Sequence, residues 1–183
     1  APLSRHIDIE LQPLAGLPAR GGRVGVHLGT AQLAARLTRS GRFARLAFAH
    51  EVSACQGDRL LIRDPGTQRL AGAGRVADPL PPERGAARPQ RLALLESIAG
   101  KSAEDAFDAL LDAEPGQVDL RWFACSYNLA PEELRRIESA RELAAFPVRG
   151  QRHVMRAARW EARCGRLERA VADWHAAHAD AIG

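Results

Sequence analysis

Residues 57–76 read GDRLLIRDPGTQRLAGAGRV, two alternating runs around a turn. In the first run Leu60 and Ile62 fall on one face, with Arg59, Leu61 and Arg63 on the other. That two-residue period marks a strand with one face in a core. Asp64, Pro65 and Gly66 then supply turn chemistry. The second run places Leu70, Gly72, Gly74 and Val76 on one side. Glycines there let another backbone come close, or let a coiled strand bend, as small barrels require. The spacing predicts a β-hairpin of a small barrel, with arginines at both ends of its turn.

Upstream, residues 5–12 (RHIDIELQ) alternate with Ile7, Ile9 and Leu11 inward, and residues 13–22 form a Pro- and Gly-rich loop. Two further strands over 23–28 and 32–38 meet at Gly29-Thr30, and a fourth over 43–49 puts Leu46 and Phe48 on one face. Six short strands in the first 77 residues predict an all-β barrel. Residues 78–90, with Pro79, Pro81, Pro82 and Pro89, read as a semi-rigid linker.

Beyond the linker the period becomes helical. Leu92, Leu95, Ile98 and Ala99 share a face up to Gly100, and Ser102 opens a capped helix with Phe107, Leu110 and Leu111 inward. Asp119 caps a helix over 120–127, and Pro131 starts another after a three-residue turn, a helix-turn-helix. Residues 143–154 read as a two-stranded wing around Arg149-Gly150-Gln151, and 155–179 as a long closing helix. Residues 91–183 are thus expected to be a mainly α winged-helix domain. The closing helix carries Trp160, Cys164, Leu167, Val171 and Trp174 as an expected buried seam.

The wording GDR-x-x-IR, a short turn, then L-x-G-x-G-x-V resembles the last hairpin of the third domain of elongation factor Tu-like translation GTPases. RVGVHLGTAQLAARL at 23–37 resembles that domain's second and third strands. The VHLGT wording and the continuation VADPLPPERGAARPQRLALLESIA at 76–99 are closest to the selenocysteine-specific (SelB-type) branch. The resemblance implies a translation-factor barrel followed by the first of a row of winged helices. It implies partners too: selenocysteinyl-tRNA, the ribosome and the family's own GTPase domain. An mRNA hairpin would bind through later winged helices. It also implies that tRNA is held by the loop between the second and third strands and by the last turn. The matching positions are Gly29, Thr30 and Gln32, then Arg63, Gly66 and Arg69. Elongation factor Tu has a basic residue near the position of Gly29, where this chain has none. The contrasting possibility for Arg63 and Arg69 is that they brace the hairpin.

GTP and magnesium belong to the family's GTPase domain, expected before residue 1. The chain has no G-x-x-x-x-G-K-[ST] phosphate cradle, and its single lysine, Lys101, follows a lone Gly100. No G-x-S-x-G or H-E-x-x-H occurs, so no cofactor and no catalysis are expected of these residues. His175 and His178 share a helix face but lack an evident third metal ligand. Three well-separated cysteines suit a reducing cytosol, and no apolar run reaches a membrane span.

Charge divides unevenly. Residues 1–90 hold 13 Arg against 7 Asp or Glu, and residues 91–183 hold 13 Arg or Lys against 15. The net +6 of the barrel half suits a polyanion, although one lysine among 26 basic residues also indicates a coding bias toward arginine. The second helix of the helix-turn-helix, PEELRRIESARE, is net acidic and suits a phosphate-lined groove badly. It favours a spacer or interaction module. The rival reading, a free-standing winged-helix regulator that binds DNA and uses the barrel for partners or ligand, would be decided against by a G-x-x-x-x-G-K-[ST] encoded upstream. A last candidate is an arginine row on the closing helix, Arg156, Arg159, Arg163 and Arg166. It could bind an external anion such as RNA, or its stems could cover apolar surface beside Asp108 and Asp112.

Overall fold

The computed structural model describes residues 1–15, 17, 21–85 and 88–178. Its first part is a closed antiparallel barrel of six strands in the order β1-β4-β3-β2-β5-β6. They are β1 Leu3–Pro13, β2 Gly21–Leu28, β3 Ala31–Ser40, β4 Phe43–Ser53, β5 Arg59–Arg63 and β6 Leu70–Asp78. Closure removes the sheet edges that a short open sheet would expose. The core holds the expected inward residues, among them Ile7, Ile9, Leu46, Leu60 and Ile62, and Leu37 joins them. Gly72 and Gly74 show why β6 carries glycine. A Cβ would lie 3.1 Å from the Gln12 carbonyl oxygen at the first position, and 3.0 Å from the Ile9 Cδ1 at the second. Both contacts come from β1, which packs tightly along this strand.

One assignment in that strand changes. Leu70 is 44% exposed, and Ala71 points inward at 2%. The β5–β6 register shifts between Ile62 and Arg63, so Arg63 faces Leu70 where unbroken pairing would bring Ala71. A bulge of this kind flips the faces of every residue beyond it.

The second part runs α1 Pro89–Ile98, α2 Ala103–Asp112, β7 Gln117–Asp119, α3 Leu120–Tyr127, α4 Pro131–Ser139, β8 Leu143–Val148, β9 Gln151–Arg156 and α5 Ala157–Ala177. Its starts follow local chemistry. The Ser102 hydroxyl accepts from the Asp105 amide, and the Asp119 carboxylate from the Arg121 and Trp122 amides. The wing hairpin turns on Arg149 and Gly150, both at positive φ, the signature of a two-residue type I′ loop. A third strand joins it: the sheet order is β7-β9-β8. β7 is three residues long, too short to show a period, and it forms because Gln117 to Asp119 pair with Met155 to His153. Phe107 and Phe123, both fully buried, meet edge to face at 4.9 Å in the core.

Two expectations about this part are corrected. Met155 belongs to β9 and is buried, so α5 begins at Ala157. The apolar line of α5 is not a buried seam: Leu167, Val171 and Trp174 are 66%, 47% and 51% exposed, and no α5 residue counts as buried. Only its first turns pack, with Trp160 stacked on Phe146 at 4.7 Å. At about 1.5 Å per residue the rest of the helix runs on beyond the small sheet that could cover it.

The proline-rich joint is not an extended spacer either. Pro79 and Pro81 are buried, and the Arg45 guanidinium donates to the Pro82 and Glu83 carbonyls at 2.6 and 3.3 Å. Phe43 and Ala77 of the barrel enclose Leu95 of α1, with Leu92 and Ala99 alongside. Beneath them lies an ionic cluster. Asp8 accepts from Arg45 at 2.7 and 2.9 Å and from Arg91 at 2.9 and 2.6 Å, and Arg91 also bridges to Asp78. All four side chains are 10% exposed or less.

Candidate nucleic-acid interface

The turn between β5 and β6 is built around Asp64. Its carboxylate accepts from the Gly66 and Thr67 amides at 3.1 and 2.7 Å and from the Thr67 hydroxyl at 2.9 Å. Those bonds, the Thr67 amide foremost, hold the Asp64 carboxyl below its ordinary pKa. The turn is therefore preorganised without help from outside. Arg63 takes part in it. One terminal nitrogen donates to the Gln68 carbonyl at 2.8 Å, and its Nε is buried without a partner. The guanidinium of Arg69 makes no hydrogen bond among the described residues, and the residue is exposed, as is Gly66. Of the two arginines, Arg63 braces the hairpin and Arg69 faces solvent.

Gly29 and Thr30 form the two-residue connection between β2 and β3, with Gly29 at φ 58°, and both are exposed together with Gln32. The structure does not bring this loop beside the Asp64 turn. β2 and β5 are antiparallel, with Leu28 opposite Leu60 and Gly25 opposite Arg63. The two loops therefore sit at opposite ends of that ribbon, separated by at least ~10 Å at about 3.3 Å per residue.

The pairing also reveals what the sequence concealed. Arg23 lies directly opposite Arg36 across β2 and β3, and Arg59 directly opposite Arg75 across β5 and β6. All four are exposed, on the outward face. Strand alternation placed Arg59 outward, but no sequence signal says which residue of a neighbouring strand will stand beside it.

The arginine row of α5 goes inward to its own domain. Arg156 donates to Asp112 at 2.6 Å and to Asp108 at 3.1 Å, and both carboxyls are held below their ordinary pKa, chiefly by hydrogen bonds from Arg141 on Asp108 and Arg156 on Asp112. Arg159 donates to the Ala113 and Asp112 carbonyls at 2.7 and 3.0 Å, and Arg163 to the Pro115 carbonyl at 2.6 Å. Arg159 thus satisfies carbonyls at the C-terminal end of α2, where a cation is favoured. Arg166, one turn further, is exposed and makes no hydrogen bond among the described residues. His175 and His178 flank Trp174, and His178 stacks on it at 4.7 Å.

A cavity of about 360 Å³ lies at the joint, beside Asp78, Arg91, Trp122 and His153. Its two carboxylates are occupied elsewhere: Asp78 by Arg91, and Asp119 as the cap of α3. No helix among the described residues is long and apolar enough to cross a membrane.

The architecture is a closed six-stranded antiparallel barrel docked on a helical unit with five helices. Residues 5–83 match the family model described as the beta-barrel domain of the selenocysteine-specific elongation factor. That stretch coincides with the six strands of the barrel, Leu3 to Asp78. A bacterial selenocysteine-specific elongation factor EF-Sec, known from its crystal structure, shares the fold with a TM-score of 0.53 at 12% identity, over 82% of this chain. This chain spans 24% of that one. No curated protein matches it.

Proposed function

We propose that this chain is the tRNA-holding and spacing portion of a SelB-type factor that delivers selenocysteinyl-tRNA to the ribosome. The barrel grips RNA phosphates, and the helical unit, a winged helix, serves as a rigid extension. GTP chemistry belongs to a GTPase domain elsewhere in such a factor, since nothing in these residues resembles its phosphate cradle.

One observation carries the reading: where arginines lack carboxylates. In the helical unit Arg135, Arg136, Arg141, Arg152, Arg156, Arg159 and Arg163 sit in ion pairs. Arg121, Arg149, Arg166 and Arg169 there are exposed and in none among the described residues, but they are scattered over a loop and two helices rather than paired across a sheet. On the barrel, Arg23, Arg36, Arg59, Arg69 and Arg75 are exposed and in none among the described residues. Unneutralised guanidinium groups on a rigid sheet suit a phosphate backbone, which rewards position over sequence. The acidic first turn of α4, Glu132 and Glu133, supports a spacer over a groove-reading helix.

Titration of a labelled selenocysteine tRNA transcript with the chain over a salt series tests this. Binding should weaken steeply with salt, and Arg69→Gln should lower the slope of log affinity against log salt by roughly 0.7–0.9. Wild-type chain that binds no tRNA at low salt refutes the proposal.

A further inference from the structure

Resting on the reading of the barrel as an RNA-holding surface, we infer that the phosphate path runs across the outer face of β3, β2, β5 and β6. Its contacts are the two cross-strand arginine pairs, Arg23 with Arg36 and Arg59 with Arg75. The register fixes the layout. Outward residues descend in rows from Arg75 and Arg59, through Ala73, Leu61, His27 and Gln32, then Arg63, Gly25 and Ala34, to Arg23 and Arg36. The arginines form a diagonal from the top of β6 to the bottom of β3. It covers six residue levels, about 20 Å at 3.3 Å each. A nucleic-acid strand presents on the order of six phosphates over that rise.

The floor between the pairs is low. Gly25 has no side chain, and a Cβ there would meet the Cβ of Arg63 at 3.7 Å. Ala34 stands beside Gly25 and Ala73 beside Leu61, so a polymer can come close to the sheet at those points, between the side chains of Leu61, His27, Gln32 and Arg63. Beside Arg59 and Arg75 the surface sinks into a depression of about 390 Å³, bordered by Leu61 and Gln12.

The arrangement is costly in isolation. Like charges directly opposite on antiparallel strands destabilise a sheet, and this barrel has two such pairs, neither in an ion pair with an acid among the described residues. Glu10 is the nearest candidate, opposite Arg75 across β1 and β6, but its carboxylate holds Arg42 at 3.2 Å. Asp58, adjacent to Arg59, accepts the Cys55 amide. Asp64 closes its own turn. The nearby carboxylates are spent on structure, and the paired guanidinium groups are left for a polyanion from outside. A duplex RNA fits better than an acidic peptide, since the charges are fixed at regular strand spacing and Leu61 and Leu70 are the exposed large apolar side chains near them.

Four proteins separate the possibilities: wild type, R23Q/R36Q/R59Q/R75Q, the same four changed to Lys, and R135Q/R136Q on α4 as a surface control. Each is titrated with a short labelled RNA duplex over a salt series and melted by circular dichroism. The quadruple Gln variant should lose roughly three units of salt slope, at about 0.7–0.9 per contact, and melt no lower than wild type. The Lys variant should keep the slope, and the α4 control should match wild type. Wild type that binds RNA with a slope unchanged by the four Gln substitutions overturns this path and leaves the RNA-holding reading standing. Wild type that binds no RNA overturns that reading itself. A Gln quadruple that melts lower is replaced by R36Q/R75Q, one arginine from each pair, which should lose about half as much slope. Equal affinity of wild type for polyglutamate and for RNA overturns the assignment to nucleic acid.

Discussion

Replacing Arg91 should uncouple the two halves of the chain. Its guanidinium comes from the first turn of α1 and neutralises two carboxylates of the barrel, Asp8 and Asp78, which are 2% and 1% exposed. The cluster of two aspartates and two arginines is electrically balanced. Arg91→Leu leaves one buried negative charge in excess. Arg45 still holds Asp8 with two bonds, so the orphan is Asp78, whose remaining donor is the Leu80 amide at 2.8 Å. Removing one partner of a buried pair costs about 3–5 kcal/mol, whereas removing both can be neutral. For a chain of this size that is a fall of roughly 6–20 °C in Tm. The double variant R91L/D78N, which deletes the orphan charge too, should recover much of the loss. Acidification should help as well. Burial already pushes the Asp78 carboxyl above its ordinary pKa, and the Arg91 charge opposes that push. Without Arg91 the folded-state pKa rises further. A raised carboxyl favours the folded state at low pH and loses that benefit as pH climbs through its folded value. The deficit of R91L should therefore be largest at neutral pH and shrink on acidification. Thermal melts of the three proteins, with limited proteolysis of residues 79–90, read this out. An R91L protein within about 2 °C of wild type at neutral pH, with its joint still resistant to protease, refutes the argument.

Two smaller expectations follow from the helical unit. Asp108 and Asp112 have lowered folded pKa values, so their contribution is present above the ordinary carboxylate pKa and lost as pH falls through the folded values. D108N/D112N should flatten the acid limb of the stability curve below about pH 4, by no more than ~1 kcal/mol per pair because both are solvent-exposed. On α5, Leu167→Ala with Val171→Ala should change the denaturation midpoint little, on the order of 0.5 kcal/mol. A loss of the 2–5 kcal/mol usual for a buried Leu→Ala change would restore the seam.

The barrel was legible because its strands alternate and are half-buried, which period two reports directly. Ile7, Ile9, Leu60 and Ile62 all face the core as their spacing requires. Glycine in β6 carried real information, as its contact with β1 shows. What failed did so for reasons outside any local window. The bulge opposite Leu70 depends on the partner strand, and β7 is three residues of pairing with a strand more than thirty residues later. The apolar line of α5 has the spacing of a buried seam, but spacing states only that one face is apolar. Whether anything covers that face is a tertiary fact. The candidate loops suffered similarly. Each was readable as a turn, but only the antiparallel pairing of β2 with β5 places them at opposite ends.

Arginine makes the same point for function. The two halves of the chain contain equal numbers of basic residues, 13 each, so abundance alone separates nothing. Difference arises in the partners. In the helical unit, Asp108, Asp112 and Glu114 stand where Arg156, Arg159 and Arg163 reach them, and the α2 carbonyls take what the acids leave. On the barrel, β2, β3, β5 and β6 present arginine against arginine, with the local carboxylates turned to caps and turns. A guanidinium already bonded must break those bonds before it can hold a phosphate, and each costs more to break than a water-filled site. Affinity for a polyanion should therefore follow the unpaired arginines. The barrel face, where four of them stand in two cross-strand pairs, should bind RNA more than α5, where only Arg166 and Arg169 are left unpaired among the described residues.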